Sequence, residues 1–204
     1  MRAVIFAGGE VTDYRHAEGL LKPNDMLVAA DSGLEHLIKL GIEPDIMIGD
    51  MDSVRSEIVG GEIIKLPVMK DETDTEAAIR VSIERGAGEI LLLGAMGTRK
   101  DHSIANVLLL KRLKDLGIKA SVVDDKNEIY FLSDEVVISG NDGDLVSILP
   151  LSDLEGISTE GLFYSLDNDT LYMGTSRGVS NVMTDNKCRI TVKKGNALVI
   201  KSRD

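Results

Sequence analysis

Two rhythms divide the chain. Up to about residue 123, short apolar runs at 3–7, 26–30, 46–48, 62–66, 90–93 and 120–123 mostly alternate with stretches of helical period. Continuous apolar runs of this length mark strands buried on both faces, so the pattern predicts β/α units around a parallel sheet. From Asp124 onward the helical period disappears. Strand-like runs at 128–132, 135–138, 144–149, 170–173, 189–192 and 197–201 recur between turns such as Asn141-Asp142-Gly143 and Lys194-Gly195-Asn196. The expected organisation is an α/β domain over residues 1–124 and a smaller all-β domain over 125–204, joined tightly near 123–127.

Composition narrows the function class. With 204 residues, 43% of them apolar, the chain is long enough for one large or two small cores. A formal net charge of −11 argues against nucleic acid as a partner, because such binding needs a basic surface to release counterions from phosphates. Small, metal-chelated or cationic ligands fit better. The apolar stretch before Gly8-Gly9 is too short for a signal peptide or a membrane span, so a cytoplasmic protein with no membrane partner is expected. The single cysteine, Cys188, lies in a strand-like run and reads as a strand residue.

Helix starts locate the chemistry. Ser32-Gly33-Leu34-Glu35 and Thr73-Asp74-Thr75-Glu76 both match the capping box, and Asp101 reads as a third N-cap, with Gly117 as the stop of its helix. In open α/β sheets ligands lie at the carboxyl ends of the strands, where helix N-termini also point their partial positive charge. Asp31, Asp50, Asp52, Asp71, Asp74, Arg99 and Asp101 all fall at such ends. Carboxylates crowded at one rim call for a hard cation. In Gly49-Asp50-Met51-Asp52-Ser53, extended residues two apart project to one side, so Asp50 and Asp52 can reach one Mg2+; taken alone, the same motif also reads as a turn and N-cap.

In Lys70-Asp71-Glu72-Thr73-Asp74, the glutamates Glu72 and Glu76 suit the helix dipole, whereas Asp74 can complete a metal site or orient an attacking hydroxyl. Arg99 and Lys100 precede a helix start and follow Gly94-Ala95-Met96-Gly97, as a phosphate cradle would require. Neither glycine-rich start matches the Walker loop or the dinucleotide fingerprint. His102 reads as structural or phosphate-adjacent, His16 and His36 as solvated or packing residues, and the methionines as core filler.

Five segments in order give the chain a resemblance to the thiamine pyrophosphokinase family. They are Asp31-Ser32-Gly33, then Pro44-Asp45 with Gly49 to Ser53, Lys70 to Asp74, Gly94 to His102, and Ser176-Arg177-Gly178-Val179-Ser180-Asn181. The ordered set covers nearly the whole chain. The resemblance implies a Rossmann-like three-layer α/β domain followed by a β-sandwich, and a homodimer whose shared site joins the first domain of one subunit to the second of the other. It implies transfer of the ATP diphosphate to the hydroxyethyl group of thiamine, with AMP leaving. Asp50, Asp52 and Asp74 would hold Mg2+. Asp31, Lys70, Thr73, Arg99, Asp101 and His102 would bind ATP, Asp74 or Asp71 would orient the hydroxyl, and Ser180 and Asn181 would grip thiamine.

Some positions depart from the family pattern. Ser32 and Thr98 stand where glycines are usual, and both are small. No aromatic follows Ser180-Asn181, and the chain has no tryptophan, so Met183 is expected to pack on the thiamine ring. Two other classes use similar residues: a Mg2+-dependent phosphohydrolase, and a nucleotide-binding regulatory module without catalysis.

Overall fold

A computed structural model describes residues 1–49, 60–67 and 71–203. Asp50, Asp52, Ser53 and Lys70 therefore lie outside the described residues. The chain divides into two compact units, Met1–Asp125 and Lys126–Asp204.

In the first unit the elements run β1 (Arg2–Phe6), α1 (Tyr14–Leu20), β2 (Met26–Ala30), a 3-10 turn (Asp31–Gly33), α2 (Leu34–Leu40), β3 (Ile46–Gly49), β4 (Glu62–Lys65), α3 (Asp74–Glu84), β5 (Glu89–Leu93), α4 (Lys100–Asp115) and β6 (Lys119–Val123). The six strands form a parallel sheet in the order β6-β5-β1-β2-β3-β4. Val4, Phe6, Ala29, Met47, Leu91, Leu93 and Val123 bury one sheet face against Ala17 of α1 and Leu34 and Leu37 of α2. Their neighbours Ile5, Val28, Ile48 and Leu92 are buried as well, which is why these strands carry no polar alternation. Each such aliphatic side chain contributes about 1.5–3 kcal/mol on leaving water.

Register sets the site. Phe6 lies opposite both Ala29 and Leu93, so β1, β2 and β5 end at one level and their following loops share a rim.

Helix starts agree in part with expectation. Thr73 caps α3, its Oγ1 accepting from Glu76 N at 3.2 Å. The other two caps differ. Ser32 sits inside the 3-10 turn and α2 opens from Gly33 without a side-chain cap bond. Helix α4 opens from Arg99, which places Asp101 within its first turn rather than at the cap. There Asp101 accepts from the Arg99 guanidinium, and the helix start carries no side-chain cap bond.

The second unit contains β7 (Asn127–Leu132), β8 (Glu135–Ser139), β9 (Leu145–Pro150), β10 (Leu154–Glu160), β11 (Asp169–Leu171), β12 (Asn181–Val182), β13 (Lys187–Thr191) and β14 (Ala197–Ser202). Within it β12-β9-β14-β7 and β11-β10-β13-β8 run antiparallel. One core draws on both sheets, including Leu132, Ile138, Ile148, Leu154, Cys188 and Val199. Cys188 is a buried strand residue, and burial pushes its thiol pKa up. Strand β10 departs from the sequence pattern: Gly156 at φ 68° makes a bulge, so buried positions fall at Leu154, Ile157 and Thr159 instead of alternating. Among the described residues, no helix is long and apolar enough to cross a membrane.

Candidate active site

A cavity of about 460 Å³ opens at the carboxyl ends of β1, β2 and β5. Its walls come from Ala7 to Glu10 after β1, Ala30 to Ser32 after β2, Thr73 to Thr75 at the start of α3, and Gly94 to Arg99 after β5, with His102, Ser103 and Asn106 from α4. Two helices of three and four turns thus aim their N-termini at one space, where backbone N–H groups and the helix dipoles favour an anion.

The loops after β1 and β5 are joined by backbone bonds. Ala7 N donates to Leu93 O at 2.8 Å, Gly9 N to Gly94 O at 2.6 Å and Glu10 N to Met96 O at 2.7 Å. A side chain could not be accommodated in that join. A Cβ on Gly9 would lie 2.2 Å from Met96 O, and one on Gly94, at φ 60°, would lie 2.4 Å from Ala7 O.

Helix α4 holds the same loop from the other side. The buried Asn106 donates from Nδ2 to Ala95 O at 2.8 Å, and Ser103 Oγ accepts from Gly97 N at 3.0 Å. Sequence reasoning missed both residues. Their signal was a polar side chain at each of two positions that share the buried face of α4 with Val107, Leu110 and Leu113.

Of the residues expected to bind nucleotide, Asp31, Thr73, Arg99 and His102 line this cavity, as does Asp74, expected to hold the metal. Asp31 follows β2 at φ 50°, a left-handed conformation that costs a non-glycine residue about 1–2 kcal/mol. Such an outlier at a cavity wall points to a functional constraint. Asp101 and Asp71 do not line the cavity. Asp101 instead accepts from Arg99 Nη2 at 2.7 Å. That bond, with the backbone N–H of His102, holds the Asp101 carboxyl below its usual range and raises Arg99 in turn. Asp50, Asp52 and Lys70 are outside the described residues.

The donors at the wall are hard oxygens, Asp31 and Asp74, which suit a cation such as Mg2+ with positions left for phosphate oxygens. Among the described residues, no three His, Cys, Asp or Glu side chains are grouped to hold a metal by themselves. The donor chemistry of these two carboxylates fits the expected ion; Asp50 and Asp52, the other acids expected to hold it, lie outside the described residues.

In the second unit Ser180 has φ 58°, and its N–H donates to Ser147 Oγ at 3.0 Å. The Asn181 amide is turned to the backbone: Oδ1 accepts from Tyr164 N at 3.0 Å, and Nδ2 donates to Tyr164 O at 2.8 Å. That clamp presents two aromatic rings, Phe163 and Tyr164, stacked edge to face at 4.9 Å and 66% and 67% exposed. Met183 is fully buried in the core, so it is not available to a ligand ring as expected; its position next to β12 turns it inward.

Comparison with known proteins agrees with this architecture. The family model for the thiamin pyrophosphokinase catalytic domain matches residues 17–122, and that for the thiamin pyrophosphokinase vitamin B1 binding domain matches residues 128–197. The thiamine pyrophosphokinase of Bacillus subtilis (strain 168) is 27% identical over 209 residues, covering 98% of each chain. The crystal structure of thiamine pyrophosphokinase from Bacillus subtilis has the same fold, with a TM-score of 0.89 at 24% identity over 100% of both chains. A thiamin pyrophosphokinase family protein from Enterococcus faecalis gives a TM-score of 0.84 at 25% identity, again over 100% of both chains. With family models accounting for most of its length in both units, the chain belongs to the thiamine pyrophosphokinase family.

Proposed function

We propose that the protein transfers the diphosphate of ATP to the hydroxyethyl oxygen of thiamine, giving thiamine diphosphate and AMP. The observation that carries this reading is the cavity where the N-termini of α3 and α4 meet Arg99, Asp31 and Asp74 at the ends of three parallel strands. A triphosphate needs such donors and cations, and phosphoryl transfer depends chiefly on positioning and on neutralising oxygen charge.

In this reading the thiamine hydroxyl oxygen attacks the β-phosphorus of ATP. The bond between that phosphorus and the oxygen bridging to the α-phosphorus breaks, and the bridging oxygen leaves with AMP. Asp74 or Asp71 orients the hydroxyl and takes its proton. Arg99 and the helix N–H groups hold the phosphate oxygens, with Asp101 aligning the guanidinium, and Lys70, Thr73, Asp31 and His102 complete the nucleotide site. Asp50, Asp52 and Asp74 hold Mg2+, which screens the phosphate charge when bound.

The second unit supplies thiamine binding and dimerisation. Ser180 and Asn181 act there, Asn181 through its hold on Tyr164. The Phe163 and Tyr164 rings offer the π-faces that a cationic aromatic substrate needs. The reading includes a Rossmann-like three-layer first domain over 1–124, a sandwich over 125–204, and a cytoplasmic homodimer whose active site takes residues from both subunits.

The test is to incubate the protein with Mg-ATP, with and without thiamine, and to quantify AMP and thiamine diphosphate. Equal amounts of both, formed only with thiamine and lost in Asp50→Ala, are expected. Inorganic phosphate released without thiamine would overturn the reading in favour of a phosphohydrolase.

A further inference from the structure

His36 of α2 does not line the cavity, yet it touches both loops that do. Its Nε2 lies 3.0 Å from Gly9 O and its Nδ1 2.8 Å from Tyr14 Oη. The same ring lies beside Gly94: a Cβ there would stand 3.3 Å from His36 Cδ2 and Nε2. One buried imidazole thus contacts the two loops whose backbones are already joined from Gly9 N to Gly94 O.

The partners decide the tautomer. A backbone carbonyl only accepts, so Nε2 must carry the hydrogen; in the neutral ring Nδ1 is then an acceptor, and Tyr14 Oη donates to it. Protonation would put a hydrogen on Nδ1 facing the Tyr14 hydroxyl, which would have to turn its own hydrogen away. Burial opposes the imidazolium and lowers the pKa of His36; the Gly9 carbonyl favours the charged ring, nearby Lys39 opposes it and Glu35 favours it. Lys39 also stands over the Tyr14 ring, its Nζ 5.5 Å from the centroid. The loops themselves bring backbone to the ring: Gly9 O and Gly94.

We propose that Tyr14 and His36 are a positioning pair for the nucleotide cavity, in which neutral His36, fixed as the Nε2–H tautomer by Tyr14, pins Gly9 O and so sets the joined loops in the shape that accepts ATP. The naming of ATP rests on the function proposed above; the effect on the loops does not. Below the midpoint of His36 the Nε2–H bond to Gly9 O persists while the Tyr14 hydroxyl turns to accept from Nδ1–H, so the charge on the ring is felt at Gly9 and Gly94 from a group that never touches the nucleotide.

The experiment combines amide and imidazole NMR titration of the full chain with ATP KM and kcat at pH 7.5 and pH 5.5. The Gly9 and Gly94 amide resonances should titrate with the His36 ring, at a midpoint below the ordinary histidine value of about 6.5. His36→Gln retains a donor for Gly9 O, so it should keep the ATP KM within about twofold of wild type at pH 7.5 while removing that midpoint from both amides. His36→Leu loses a hydrogen bond of ordinary strength and should raise the ATP KM roughly 3- to 10-fold with little change in kcat. Glycine amides that do not follow the ring, or a His36→Leu variant with a lower melting temperature and unchanged KM, would overturn the pair's role. If the wild type forms no AMP with thiamine, diphosphate transfer fails, and the two glycine resonances still decide this inference.

Discussion

Replacing Asn106 with alanine tests how the rim of the site is held. The side chain is buried on α4, and its Nδ2–Ala95 O bond of 2.8 Å fixes a loop whose residues 94–99 wall the cavity. Truncation leaves the Ala95 carbonyl without that donor, a loss of about 1–3 kcal/mol for a buried polar group. Alanine is the better helix former by roughly 0.6 kcal/mol, which offsets part of it. The net expectation is a destabilisation of about 1–2 kcal/mol, or roughly 2–8 °C in melting temperature for a chain of this size. Activity should suffer more than stability implies, because a loop displaced by about an ångström can lose on the order of 10²-fold in rate.

Urea unfolding and kcat/KM for ATP measure the two effects. Asn106→Asp sharpens the test. A carboxylate facing the carbonyl cannot donate, so its folded pKa is raised above the unfolded value. Its stability contribution is therefore present below the unfolded pKa and lost as pH rises through the folded one. At neutral pH the aspartate should be worse than the alanine, and the gap should close on acidification. An Asn106→Ala protein within 0.5 kcal/mol of wild type and within twofold in kcat/KM, both roughly the scatter of neutral surface changes, would refute the reasoning.

Other expectations follow from the same geometry. Arg99→Ala should raise the ATP KM roughly 10- to 100-fold, the value of a charge-assisted phosphate contact. Asp101→Ala should raise it less and leave stability within about 0.5 kcal/mol in urea, since the pair is exposed on both sides. Tyr164→Ala should raise the thiamine KM roughly 3- to 10-fold with the ATP KM unchanged, and Asn181→Ala should do likewise by releasing the loop; equal effects on both substrates would contradict a stacking role.

The Arg2–Asp25 pair, bonded at 2.9 Å from Nε to Oδ1 and nearly enclosed, should appear in acid unfolding. Burial pushes the Asp25 carboxyl up, but the bonds from Arg2 and from Lys22 N outweigh it and hold it low. Its stabilisation is thus complete above the unfolded value of about 3.9 and lost as pH falls through the folded one. Arg2→Met should cost about 3–5 kcal/mol at pH 7, with the deficit shrinking in urea titrations taken below that folded value.

Strands with simple patterns were readable. Residues 26–30, expected as an apolar run, are β2 to the residue, and in the second unit the runs at 128–132 and 197–201 fall within β7 and β14. The failures share a cause: a long-range contact overrides the local pattern. Strand β10 escaped notice because the Gly156 bulge breaks its alternation, and a bulge is defined by partner strands rather than by its own residues. Two-residue β12 exists through its pairing with β9. Ser32 has the side chain of a cap, yet the 3-10 turn takes its place.

The candidate site divides in the same way. Ordered motifs identified the family and most of the residues at the cavity wall, because acids and glycines at strand ends are local requirements of a phosphate site. Met183 was misjudged, since burial depends on which way a strand faces its neighbours, whereas His36 is buried, in keeping with a packing role. Asn181 was expected to grip thiamine; its amide is turned to the Tyr164 backbone, a partner 17 residues away. Sequence by itself determined the alternation of elements, the two-part organisation and the chemical character of the rim. Tertiary structure decided which polar side chains brace the loops, which aromatic rings reach solvent and which loops are joined, because hydrogen bonds between residues far apart in the chain leave no periodic trace in it.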